Sequence, residues 1–289
     1  MRTARFASPY LAGLTLLIAL PVAAATALAF TDFSGVQAPS FVGLDNFARL
    51  VREEAFWRSF GNTLVYVAIA VPLRLAAAVG LALLLHRRSR GVDAARGIVY
   101  LPTVVPDVAY ALLWLWLLNP LYGPLAAAAG SLGVTSPGWL TEPWPARIGI
   151  AVMGAFQIGE AFVVALAARR TVPESLYEAA RVEGARPWFT LRRITFPVMA
   201  PVLALLALRD VILAFQVNFV PAFIVTEGGP QYATTFLPLY VYEAAFRYFR
   251  LGYASAVSVV MFLVTGAIVA AQFAIYKKWT STERQGRWS

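Results

Sequence analysis

Five ionisable side chains, Arg74, Asp107, Glu160, Arg209 and Asp210, stand inside long apolar stretches of this 289-residue chain. An ionised Arg or Asp in hydrocarbon costs about 2.5 to 3.5 kcal/mol on insertion scales, so each must face a bundle interior or water and find a partner. Two kinds of chemistry suit two cations and three anions: ion pairing between helices, or a polar layer along a path for solute or protons. Pairing is favoured for Arg74 and Arg209, whose charges balance the acids. Covalent chemistry is poorly supplied. The chain has no cysteine, which excludes disulfides, zinc thiolates and thiol nucleophiles. Its single histidine, His86, sits in the basic run His86, Arg87, Arg88 and reads as a solvated loop residue. No H-E-x-x-H or G-x-S-x-G occurs, which argues against an intramembrane enzyme. No GxxxxGK[ST] loop occurs either, so no cofactor is expected in this chain, and ATP with its magnesium must be held by another.

The elements that position these charges follow from composition. The chain is 60% hydrophobic and 13% charged, with mean hydropathy +0.67, against about 45 to 50% and 25% in soluble domains. Six stretches reach the roughly 20 apolar residues that a spanning helix needs: about 9–30, 60–85, 97–118, 147–168, 199–225 and 253–276. The fold expected is an all-α polytopic membrane protein with six spans in one transmembrane domain covering 1–289. Counted from one side, the five charges lie about 8 to 11 residues into their helices, roughly 12 to 17 Å at 1.5 Å per residue, in one layer near mid-membrane.

A net charge of +9 would suggest nucleic acid in a soluble chain, but here the basic residues flank apolar spans and set orientation instead. The two termini and the 86–97 and 169–198 loops hold 16 Lys and Arg, the alternate loops 6, which predicts cytoplasmic termini. The opening run, with Arg2 and Arg5 before an apolar stretch and VAAATALAF, also has the outline of a secretory signal; its length of about 22 residues favours a retained helix.

The 169–198 loop contains EAARVEGARPWFTLRRITFPVMAP, residues 178–201. Pro173 suits the first position of a helix, Glu174 and Glu178 favour its early turns, and Gly184 with Pro187 suits its end. Glu178 and Arg181 form an (i, i+3) pair, and a second short helix, about 187–195, leads to Pro197 and the fifth span. A helix, turn and helix therefore project into the cytosol, either to lie on the anionic leaflet through Leu176, Trp188 and Phe189 or to dock a partner.

Glu178, Ala179 and Ala180, then Gly184, then Ile194, Phe196 and Pro197 resemble the EAA signature loop of permease subunits of binding-protein-dependent ABC importers, departing only by Phe for Leu. FVGLDNF (41–47), RGIVYLPTVVPDVAYALLWLWLLNPLYGPL (96–125), TEGGP (226–230) and LYVYEAAFRYFRLGYASAVSVVMFLV (239–264) are similar to the carbohydrate-importer branch, on its MalF- and UgpA-like side. ALAARRTVP (165–173) departs from the family's Leu- and Gly-rich segment at Arg169 and Arg170. The resemblance implies a type I importer fold in a prokaryotic inner membrane. It implies a coupling helix at about 173–185 seated in an ATPase dimer, a second MalG-like permease, an extracytoplasmic binding protein and a sugar substrate. Gly184 would provide the tight turn and Glu178 the partner contact.

For a sugar path, the fifth span supplies Gln216 and Asn218 as amide donors and acceptors, with Phe215 and Phe219 to stack on apolar sugar faces. Asn119, Trp116 and Gln157 are secondary candidates; amides also serve as plain interhelical glue. The rival class is a proton-coupled transporter with Asp107, Glu160 and Asp210 as relay, against which the absence of internal repeats counts.

Overall fold

The computed structural model describes residues 2–87, 89–216 and 218–286, with side chains within 8–278. Of the charges that set the expected orientation, Arg88 and Arg287 and the side chains of Arg2, Arg5 and Arg284 lie outside the described residues.

Four helices are long and apolar enough to cross a bilayer, and two bent pairs bring the number to six if each pair is one span. The first helix, α1 (Ser8–Leu28), buries none of its apolar length in the chain; its Leu20–Leu28 part packs on the last helix. Beyond it the chain departs from the all-α expectation with a minimal antiparallel ladder, β1 (Thr31–Asp32) on β2 (Ser40–Phe41). The cause is local: Asn46 Nδ2 donates to the Ala29 and Thr31 carbonyls at 2.9 Å, folding the chain back on itself. Asn46 belongs to α2 (Asp45–Arg52), which leads into α3 (Glu54–Leu84).

The third expected span is a pair, α4 (Arg90–Val104) and α5 (Asp107–Leu117), bent by 102°. Pro106 explains the break: the preceding Val105 is pushed to φ −71°, ψ 130°, outside the helical region. A loop helix, α6 (Pro124–Ser131), follows. The fourth span, α7 (Pro143–Phe156) and α8 (Gly159–Arg170), bends by 53°. At that bend the Gly159 N–H donates to Thr103 Oγ1 of α4 at 2.9 Å. A Cβ there would stand 2.5 Å from that oxygen. Gly159→Val should therefore cost about 1 to 3 kcal/mol as an overpacked contact, read as a lowered unfolding temperature in detergent; an unchanged midpoint would mean that α4 and α8 do not meet here.

Helix α9 (Glu174–Val182) is followed by a turn through Pro187–Thr190 and a π-helical Leu191–Thr195 into α10 (Phe196–Ala214). Phe219–Pro221 and a π-helical Ala222–Thr226 extend it. Then come α11 (Leu237–Tyr242) and α12 (Leu251–Gly286). A central cluster including Tyr66, Trp114, Ile150, Met153, Phe215 and Phe236 joins α3, α5, α7, α10 and the 222–236 segment. A smaller one, Ala168, Val172 and Met199 with Leu83, Tyr177 and Ile194 against it, closes the α9 end.

Candidate functional site

Helix α9 starts one residue later than its composition suggests: Pro173 (φ −59°, ψ 134°) is the extended residue before it, and Glu174 opens the first turn. Its end is a left-handed closure. Gly184 has φ +69°, and Ala185 N–H donates to the Ala180 carbonyl at 2.8 Å. Such a residue at the end of a helix is readily Gly, because a Cβ crowds the carbonyl there. Glu178, Ala179 and Gly184 lie exposed, whereas Ala180 is buried. Arg181 pairs with Glu174 at 3.2 Å, correcting the expected Glu178–Arg181 pair; positions 174 and 181 lie about two turns apart on the same face, within reach of a long Arg side chain. Leu176, Val182, Trp188 and Phe189 are exposed, Val182 at 89% and Trp188 at 69%.

Tyr177 is the residue that sequence reasoning missed. Its hydroxyl lies 2.9 Å from Thr195 Oγ1, and the Arg169 guanidinium stacks 4.4 Å from its ring centroid. Ile194 packs into the small cluster beneath, beside Leu83 of α3, and Pro197 sits in the first turn of α10. The loop is thereby packed against α3, α8 and α10. The only sequence signal for Tyr177 was its inward position on an amphipathic nine-residue helix.

Four of the five intramembrane charges fall into two ion pairs, to which the adjacent Arg209 and Asp210 contribute one member each. Arg74 of α3 and Asp210 of α10 pair at 3.1 Å with side chains 11% and 9% exposed. Arg209 pairs with Glu160 of α8, both about half exposed and directed out of the core. Asp107 has no ion pair among the described residues and lies exposed in the first turn of α5, just past the 102° break, where an anion suits the helix N-terminus.

The path candidates are also dispersed. Gln216 opens on a cleft of about 230 Å³ between α10 and α12, shared with Thr265. Phe215 is buried yet forms part of the wall of that cleft, and Asn218 is buried in the core at 0% exposure with neither amide atom hydrogen-bonded. Phe219 stacks on Phe223 (centroids 5.5 Å, planes 14° apart). Asn119 Oδ1 accepts from the Leu121 and Tyr122 N–H groups at 2.9 and 3.2 Å, so its amide oxygen stabilises a turn. Trp116 is exposed, and Gln157 sits at the 53° bend of the fourth span.

A second unforeseen feature lies at the end of the bundle opposite α9. Arg147, read from sequence only as a loop charge, donates through Nη2 to Asn62 Oδ1 at 2.7 Å and through Nε to the Ala233 carbonyl at 3.0 Å. Asn62 Nδ2 in turn donates to the Tyr232 carbonyl at 2.7 Å. The two side chains latch the segment at Tyr232 and Ala233, just after TEGGP, to α3 and α7 across 170 residues of sequence separation.

Apolar helices that enclose a paired charge, with an amphipathic helix fastened at one end, define a membrane-embedded component. Residues 74–281 match the family of binding-protein-dependent transport system inner membrane components, and the chain belongs to that family. It is 32% identical over 283 residues, 96% of this chain and 91% of the relative, to a probable ABC transporter permease protein, YesP, of Bacillus subtilis. It is 31% identical over 237 residues (81% and 79%) to the trehalose/maltose transport system permease protein MalF of Thermococcus litoralis. In fold it is similar to a chain of a bacterial alginate ABC transporter in complex with an alginate pentasaccharide-bound periplasmic protein, with a TM-score of 0.84, 24% identity and coverage of 96% and 94%. The protein is a multi-pass permease component of the inner membrane and not an enzyme.

Proposed function

We propose that this chain is one transmembrane half of an ATP-driven importer for a carbohydrate or polyol, working by alternating access. It would have six spans and cytoplasmic termini, and would act beside a second permease, an ATPase pair that binds ATP and magnesium, and an extracytoplasmic binding protein. The observation that carries this reading is the mounting of α9: Glu178, Ala179 and Gly184 are exposed for a partner, while Tyr177 and Ile194 fasten the same helix to α3, α8 and α10. Force applied to α9 by ATPase closure passes into α10, which carries Asp210, and through Arg74 into α3. The charge excess around α9 and the termini supports a cytosolic position for that end.

Carbohydrate as substrate rests on relatives named for trehalose and maltose and on side chains suited to sugars. Gln216 and Gln157 would offer amides, and Phe219 and Trp116 aromatic faces, to a sugar in the path. The unpartnered amide of buried Asn218 costs about 1 to 3 kcal/mol in this conformation, a cost that a rearrangement turning it towards a sugar hydroxyl removes. Phe215 supports it from the core. Gln216→Leu and Asn218→Leu should each weaken uptake about tenfold, the loss of one or two hydrogen bonds, without loss of assembly; unchanged substrate affinity in both would move the path elsewhere. A proton relay is disfavoured by the pairing of Glu160 and Asp210 with arginines and by the separate position of Asp107.

The direct experiment is affinity purification from the native membrane in mild detergent with mass spectrometry of the associated chains. An ATPase, a second permease and a binding protein are expected; a chain that came out alone and moved solute in liposomes on a proton gradient would overturn the assignment.

A further inference from the structure

We propose that the basic recess at the α9 end of the bundle binds a phosphate group, carried by a phospholipid headgroup or as free phosphate. The recess has a volume of about 640 Å³ and lies between the C-terminal end of α3, the end of α8, α9 and the 185–195 turn. Arg87, Arg169 and Arg181 reach it from three separate segments, together with His86, against the single carboxylate of Glu174. His86 Nδ1–H donates to the Leu83 carbonyl at 2.7 Å, which leaves the guanidinium groups as the main donors.

Three guanidinium groups around one cavity repel one another unless an anion stands between them. Among the described residues Arg87 has no ion pair. The Arg169 guanidinium carbon lies over the Tyr177 ring, 4.4 Å from its centroid, and Arg169 has no ion pair among the described residues. The Arg181–Glu174 pair is about 70% exposed on both sides and therefore worth little. The planar fork of Arg matches phosphate oxygens in a bidentate manner. Leu83, Leu191 and Pro187 give the recess an apolar side beside the arginines, the combination expected where a headgroup leads into acyl chains, and basic pockets between helices at the cytoplasmic surface suit anionic lipids.

The recess is also separate from the docking surface. Glu174, Tyr177 and Arg181 line it, whereas Glu178 and Ala179 do not. Arg169, one of the two residues at which the sequence departs from the family pattern, thus gains a role that coupling does not give it. Phosphate binding rests on these side chains alone; only the allotment of a lipid source to the inner leaflet rests on the orientation proposed above.

The test uses the full chain in nanodiscs of phosphatidylcholine with and without phosphatidylglycerol, and retained lipids are counted by native mass spectrometry. In parallel, inorganic phosphate is titrated into the phosphatidylcholine sample while thermal unfolding is followed. Selective retention of phosphatidylglycerol identifies a headgroup site, and stabilisation by inorganic phosphate without lipid selectivity identifies a free-anion site. In either case R87A/R169A should weaken binding about tenfold or more, from the loss of charge-assisted hydrogen bonds, R87K/R169K should keep most of it, and E174Q should tighten it. The lysine variant separates lost binding from lost fold. Absence of both signals in the wild type, or binding by R87A/R169A equal to wild type, overturns the proposal. No transport or ATPase reading enters, so failure of the importer assignment would leave this result standing.

Discussion

Gly184→Val is expected to leave the chain in the membrane and to reduce uptake on the order of 5- to 30-fold, with ATP hydrolysis no longer tied to substrate delivery. The residue closes α9 at φ +69°, and a Cβ built there meets nothing within 4 Å of the chain itself. The substitution therefore clashes with no neighbour and acts through the backbone. A β-branched residue in the left-handed region costs about 1 to 2 kcal/mol, too little to unfold a bundle of this size but enough to shift a local two-state element by a factor of 5 to 30. The Ala185-to-Ala180 hydrogen bond would open, and the surface carrying Glu178 and Ala179 would lose its shape. Gly184→Asn, which tolerates this backbone region, should retain much more uptake. Glu178→Trp should lower uptake without disturbing α9, because the position is exposed and internal to the helix. Normal uptake by both Gly184→Val and Glu178→Trp would remove α9 from the coupling machinery.

The second large effect concerns Arg74 and Asp210. Their pair is almost wholly enclosed, and Arg74 Nε and Asp210 Oδ2 have no hydrogen-bond partner beyond it. Removal of one member of such a pair leaves an uncompensated charge in a medium of low dielectric constant and costs about 3 to 5 kcal/mol, whereas replacement of both by apolar residues is often neutral. Arg74→Leu and Asp210→Leu should each lower the yield of folded chain and its unfolding midpoint in detergent, and the double variant should recover most of the loss. Two single losses that simply add in the double variant would show that the charges do not interact. The pair Arg209–Glu160, about half exposed and not enclosed by the chain, serves as the comparison, and a single substitution there should cost less folded chain than one at Arg74 or Asp210.

The sequence by itself determined what depends on short windows of chain. Runs of about 20 apolar residues mark the membrane class, and the structure has helices over all six stretches, although two of them are bent pairs. Pro106 accounts for the break that places Asp107 at a helix start, because a residue before proline leaves the helical region. The spacing of Glu178, Gly184 and Pro187 determined α9 and its left-handed closure, since backbone preference at such a turn is local.

Only the tertiary structure decided which charges meet and which side chains are buried. Arg74 with Asp210, Arg209 with Glu160, Arg181 with Glu174, the burial of Phe215 and Asn218, and the latch formed by Asn62 and Arg147 all depend on how each helix is turned about its own axis. A soluble helix reports that rotation through an apolar stripe. In a membrane the surrounding lipid is as apolar as the core, so a helix such as α3 or α10 is apolar on every side and its sequence carries no such stripe. Contacts between residues as far apart as Asn62 and Tyr232 then fix the rotation, and they exist only once the bundle has packed.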